Sequence, residues 1–181
     1  AADLFADLRD ATSKDALYLS TSIGTDTAAE LLALDNKTSI IVNASATTGI
    51  SGTAAELKKV FASSGIKVDG DLVITVTDTA SAADVNAIAA KTTSAVTATI
   101  EDGSVAATLK ALSDVKNTDI IRFKTTDKSV KASDLVDLAA KLANPSSSFD
   151  KSKIETITGT AAETGAGKAI PLALTEIGRA S

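Results

Sequence analysis

The chain of 181 residues contains no cysteine, no histidine, no methionine and no tryptophan, and only 3% of its residues are aromatic. These absences exclude disulfides, thiolate nucleophiles, histidine general bases, and the usual zinc, haem and iron–sulfur ligand sets. Proline occurs only twice. No apolar run approaches the roughly 18–20 residues needed to span a bilayer, so no membrane insertion is expected. Positive charge is in deficit: 18 Lys and Arg against 23 Asp and Glu give a net charge of −5. Such a surface repels phosphate backbones, so no nucleic-acid partner is expected. What remains is 44% hydrophobic and 23% charged, enough to build a core in one domain of ordinary size. Alanine makes up roughly a fifth of the chain, and serine with threonine roughly a quarter, above average usage. A core of Ala, Val, Ile and Leu with few rings is thin, which suits layered repeats better than a thick globule.

Self-similarity is pervasive. A phrase of two small residues, an acid and Leu or Val occurs as Ala1-Ala2-Asp3-Leu4, Ala28-Ala29-Glu30-Leu31, Ala54-Ala55-Glu56-Leu57 and Ala82-Ala83-Asp84-Val85. Weaker copies are Ala106-Ala107-Thr108-Leu109 and Ala132-Ser133-Asp134-Leu135, and a last copy, Ala161-Ala162-Glu163-Thr164, lacks the leucine. Successive copies lie about 24–29 residues apart, a spacing typical of stacked repeats.

Each copy reads as a helix start. Thr27, Thr53, Ser81 and Thr160 precede the small pair, with Glu30, Glu56, Asp84 and Glu163 three residues later. That is the capping-box arrangement or its aspartate variant, with the acid at the positive helix end. Apolar residues then recur at helical spacing, as in Leu31 and Leu34, Leu57 and Val60, Val85 and Ile88, and Leu135, Leu138 and Leu142. Between the expected helices lie β-rich runs at 17–21, 40–44, 72–76, 95–100, 120–124 and 154–157. Strands joined through helices pair in parallel, with right-handed crossovers. The expectation is therefore an α/β fold, a right-handed αβ-solenoid of about seven helix–strand repeats with one parallel sheet. An N-terminal cap is expected over 1–27, central repeats over 28–160 and an atypical C-terminal cap over 161–181. The segment Asn144-Pro145-Ser146-Ser147-Ser148 is expected to be a loop insertion. The start at Ala1, without Met, reads as a processed product or a piece of a longer chain.

Phrases such as Leu34-Asp35-Asn36-Lys37-Thr38-Ser39, Ala62-Ser63-Ser64-Gly65-Ile66 and Ala90-Lys91-Thr92-Thr93-Ser94-Ala95-Val96 carry a resemblance. So does the run from Val76 through Ala82-Ala83-Asp84-Val85. They are similar to the Ala/Thr-rich tandem repeats of giant secreted surface proteins of aquatic bacteria, cyanobacteria among them, and of structural proteins of their viruses. The likeness is strongest over residues 28–112. It implies an exposed structural module at the cell surface, outside the cell or on a virion, with no catalytic residues.

Candidate chemistry is sparse. Gly165-Ala166-Gly167-Lys168 lacks both the upstream glycine and the following Ser or Thr of a phosphate loop, because Ala162 and Ala169 stand there. Asp69-Gly70-Asp71 offers two carboxylates but no calcium-loop pattern, and reads as a turn. No Gly-x-Ser-x-Gly elbow is present, and a serine nucleophile would have no histidine. No catalytic residue, metal ligand or cofactor is therefore assigned, and the chain is not expected to be an enzyme. The expected mode of action is assembly and adhesion, by self-association or with neighbouring structural subunits. The joining surfaces expected are the Leu4, Phe5 and Leu8 stripe and the Ile170, Leu172 and Leu174 alternation. The alternative is a carbohydrate-binding module that presents Thr75, Thr77, Thr97 and Thr99 to a glycan from a flat sheet face.

Overall fold

The computed structural model describes residues 8–159. Over these residues the architecture is mixed α/β, with five helices and a mainly parallel sheet of six strands. The elements run β1 (Gly24–Thr27), α1 (Ala28–Asp35), β2 (Val42–Asn43), β3 (Thr47–Gly52), α2 (Ala54–Ala62), β4 (Ile66–Lys67), β5 (Val73–Ala80) and α3 (Ala82–Ala89). They continue with β6 (Val96–Ile100), α4 (Val105–Ala111), β7 (Ile120–Lys124), β8 (Ser129–Lys131), α5 (Ala132–Lys141), β9 (Ser148–Asp150) and β10 (Thr156–Thr158).

The helices start where side-chain caps can form. Thr27 and Thr53 each close a full capping box with Glu30 and Glu56; Ser81 and Ser104 accept the N–H of Asp84 and Ala107. Only α5, which follows Lys131, has no side-chain cap. At 7 to 10 residues the helices are too short to be stable alone, and they are held by packing. Their buried residues fall at the first, fourth and seventh positions, as in Ala28, Leu31 and Leu34, Ala54, Leu57 and Val60, and Ala132, Leu135 and Leu138. The fourth helix is one residue out of step with the expected phrase. It begins at Val105, so Thr108 rather than Leu109 occupies the buried fourth position.

The main sheet has the order β1-β3-β5-β6-β7-β9, with every pairing parallel and one helix between successive strands. Consecutive helices pack on one another, and a helix such as α2 touches both its own strand, β3, and the next, β5. Two further parallel pairs, β2 with β4 and β8 with β10, lie outside this sheet, so the single sheet expected from sequence is not what forms. The chain turns a corner at Ala44–Thr47, where the Thr47 N–H donates to the Ala44 carbonyl, and a unit therefore supplies a short rung before its main strand. The run 17–21 contributes only one parallel bridge, Ser20 to Asn43. β1, β3, β4, β8 and β9 fall wholly outside the runs where strands were expected.

The core lies between the sheet and the helix layer. Ile50, Ile74 and Val96 stand in register on three neighbouring strands and are fully buried with Leu31, Leu57 and Val85 of the helices. Burying each such side chain contributes about 1.5–3 kcal/mol before entropy is counted. Phe123 and Phe149 stack at 5.7 Å between ring centroids and close the row toward β9.

Candidate interaction surfaces

Neighbouring units are tied by side chains that reach back about one repeat length. The Asp78 carboxylate accepts the N–H of Ala54 at 2.8 Å, and that of Asp127 accepts the N–H of Val105 at 2.8 Å. Each places a negative charge on the first amide of the preceding helix, where the dipole favours it. At the opposite helix ends, Lys116 Nζ donates to the Ala89 and Thr92 carbonyls at 3.0 and 2.8 Å, and Lys141 Nζ to those of Ser113 and Val115 at 3.1 and 3.3 Å. Lys37 Nζ donates to the Arg9 carbonyl at 3.3 Å in the same manner. Fully buried Asp119 accepts the N–H of Val96 at 2.8 Å and, through its other oxygen, that of Lys116 at 2.7 Å. Thr38 and Thr92, both buried, donate to the Leu17 and Leu72 carbonyls. Ion pairs join Lys58 to Asp84 on neighbouring helices, and Lys124 to Asp102 at 3.3 Å. Of these partners only Asp84 was given a role from sequence, as a helix-start acid; the ties between units were not, because their spacing of 20 to 28 residues varies from unit to unit with loop length.

The displaced carboxylates fit this structural use. The backbone and hydroxyl of Thr53 hold Glu56 below the ordinary glutamate range, and the Lys58 ammonium does the same for Asp84. Thr12 lowers Asp15, and the Ser152 N–H lowers Asp150. All four are displaced toward the anion, the opposite direction from a general acid poised to donate at neutral pH. Among the described residues no group of three acids is placed to hold a metal ion, and no helix is long and apolar enough to cross a membrane.

The outer sheet face carries the threonines named above. Ser51, Thr75 and Thr97 stand in register on β3, β5 and β6, and Thr79 pairs with Thr99. Thr75 and Thr77 are exposed and Thr97 and Thr99 half-buried. Among the described residues none of these hydroxyls has a hydrogen-bond partner in the chain. The face is not regular, however. Thr75 and Thr79 are four residues apart while their partners Thr97 and Thr99 are two apart, so β5 bulges between them. The bulge contains Asp78, whose carboxylate it turns onto the start of α2.

The two ends differ. Of the joining residues expected from sequence, Leu4, Phe5, Ile170, Leu172 and Leu174 lie outside the described residues. Leu8 is half-buried in a turn closed by the Ala11 N–H on its carbonyl at 3.1 Å. The terminal strands of the main sheet are short, four residues in β1 and three in β9, and Asp26 of β1 faces inward beside Ile50. Short edges and inward charges limit uncontrolled strand pairing. Toward the other end of the described residues a cavity of about 460 Å³ lies between α5 and β9, lined by Leu135, Leu138, Ala139, Leu142 and Phe149 together with Asn144, Pro145, Ser147 and Ser148.

No family model matches the chain, and no curated protein or solved structure matches it.

Proposed function

We propose that the chain is a structural repeat module, a right-handed αβ-solenoid that works in a surface protein, filament or virion appendage outside the cell, without catalysis or a cofactor. It acts through assembly and adhesion, by joining copies of itself or neighbouring structural subunits. The observation that carries this reading is the ladder of contacts between adjacent units. Asp78, Lys116, Asp119, Asp127 and Lys141 are all engaged with the backbone of the unit before, so the chemically capable side chains serve the stack. Each helix packs on the helix and strand of the neighbouring units as well as on its own strand, and the last described unit presents an apolar cavity. The shortness of β1 and β9 puts the weight of joining on the helix layer rather than on strand edges. A glycan partner on the threonine face is the weaker reading, because the bulge of β5 interrupts the hydroxyl lattice that a periodic polymer would match.

Negative-stain microscopy of the purified chain over a concentration series tests the assembly. Filaments or closed rings are expected; single particles at every concentration would overturn it. Reproducible binding on a glycan array by particles that stay single would favour the carbohydrate reading instead.

A further inference from the structure

The chain contains two Asp-Gly pairs, Asp69-Gly70 and Asp102-Gly103. Such a pair can react with itself, because glycine has no Cβ to block the approach of a neighbouring carboxyl to its amide nitrogen. The two pairs are alike in sequence and differ in what the fold does with the reacting groups.

At Asp102-Gly103 both groups are engaged. The Gly103 N–H donates to the Lys124 carbonyl at 3.2 Å, and the Asp102 carboxylate pairs with Lys124 Nζ at 3.3 Å. The Gly103 carbonyl accepts the Thr126 N–H at 2.9 Å, so the glycine is held on both sides. The pair cannot rearrange until its contacts with the next unit open.

At Asp69-Gly70 both groups are free. Asp69, Gly70 and Asp71 are exposed in the turn between β4 and β5. Among the described residues neither the Asp69 carboxylate nor the Gly70 N–H has a hydrogen-bond or ionic partner. Apart from its chain neighbours, no atom lies within 4 Å of where a Cβ of Gly70 would stand, so the turn has room to rotate. The turn is anchored only downstream of the reacting amide. The Gly70 carbonyl accepts the Thr93 N–H at 2.7 Å and the Thr93 hydroxyl at 3.3 Å, and the Asp71 carbonyl accepts the Ser94 hydroxyl at 2.6 Å.

We propose that Asp69-Gly70 is a self-modification site, where the aspartate converts spontaneously to isoaspartate while the fold protects Asp102. The Gly70 nitrogen forms a bond to the side-chain carboxyl carbon of protonated Asp69, and the carboxyl hydroxyl leaves as water with the amide hydrogen. One water then reopens the resulting five-membered imide at the former peptide carbonyl. The main chain now runs through the Asp69 side chain and is one methylene longer, and the former peptide carbonyl has become a free carboxylate. Composition and net charge are unchanged, and water is the only co-reactant. The added length falls immediately before the Gly70–Thr93 bond, so it loosens the tie between the turn entering β5 and the turn entering β6. It does so whether or not the chain assembles.

The test compares the folded full-length chain with the same chain in urea, both held for weeks at mildly acidic pH and body temperature. Peptide mapping with electron-transfer fragmentation counts isoaspartate at each pair. Each site's folded rate is divided by its rate in urea, which removes the effect of neighbouring residues. That ratio should be about tenfold or more higher at Asp69 than at Asp102, since two engaged groups are set against none. The Thr93 amide should exchange faster in the aged chain than in the fresh one. D69E, whose longer side chain closes the ring poorly, should keep Thr93 protected after the same treatment. Equal ratios at the two pairs, or an Asp69 that stays unconverted in the folded chain, overturn the proposal. Unchanged Thr93 exchange in a chain that has converted overturns the loosening.

Discussion

Replacing Asp119 with alanine should cost more stability than any other single truncation of a polar residue in the described fold. Its carboxylate is fully buried, and its two oxygens accept from Val96 and Lys116 at 2.8 and 2.7 Å. Val96 is itself fully buried, so its N–H has no water to turn to. The Asp119 carbonyl accepts from the Ser147 hydroxyl at 3.2 Å, and that hydroxyl accepts the Ile121 N–H at 3.0 Å, so the residue ties β6, its own unit and β9 together. Hydrogen bonds to a charged group contribute about 1.5–3 kcal/mol each, and an orphaned buried donor costs about 1–3 kcal/mol. The D119A variant should therefore lose about 3–5 kcal/mol, a large share of the roughly 5–15 kcal/mol that holds a domain folded. At about 2–4 °C per kcal/mol for a chain of this size, Tm should fall by about 6–20 °C. D119N keeps one acceptor but turns an amide donor toward the other N–H, and should lose about 2–3 kcal/mol. Thermal and urea unfolding followed by circular dichroism give the magnitude, and amide exchange at Val96 and Lys116 gives its location. A D119A variant within about 0.5 kcal/mol of the parent would refute the view that these ties carry the stack, since that is the range of changes at featureless surface sites.

Three other outcomes follow from the same contacts. A Cβ at Gly65 would push aside the Asp35 carboxylate, which accepts from the Ser63 hydroxyl at 3.0 Å, so G65A should lose about 1 kcal/mol, the worth of that hydrogen bond, and should cost less in a D35A background in a double-mutant cycle. Thr53 caps α2 and is bonded in return by Glu56 at 2.9 Å, so T53A should lower stability by about 1 kcal/mol in urea denaturation, with T53S near the parent. Asp15, Glu56, Asp84 and Asp150 all have folded pKa values below their ordinary ones; their stabilisation is complete above the ordinary carboxylate range and is lost as pH falls through the folded values. The melting temperature should therefore hold steady near neutrality and drop as pH is taken below about 4.5, and E56Q should flatten part of that fall.

Local chemistry was legible in the sequence and register was not. The starts of α1, α2 and α3 follow from the small-small-acid phrase, because the cap needs only its own three neighbours; α5 starts at the same phrase without a side-chain cap. β6 and β7 are evident from branched residues in alternation. β3, with Thr47-Thr48-Gly49-Ile50-Ser51-Gly52, has one strong inward residue and is a strand because β1 and β5 flank it. β9 is extended because Phe149 stacks on Phe123, a contact across 26 residues that no local pattern signals. The one-residue offset of α4 arises because Ser104 outcompetes the expected start: its hydroxyl takes the Ala107 N–H at 3.2 Å, and Val105 then fills the first seat. The threonine face was visible as an alternation, but the bulge at Thr75–Thr79 depends on Asp78 finding the Ala54 N–H. The cavity at α5 was not visible at all, since it is made by two elements of different units.

Molar mass by light scattering over a concentration series tests the central claim most directly. An assembly module should grow in integral multiples of the 18.2 kDa chain as concentration rises, and L142D, which places a charge in the cavity wall, should return it to one chain while keeping the native circular dichroism signal. A mass of one chain at every concentration in the unaltered protein would contradict it.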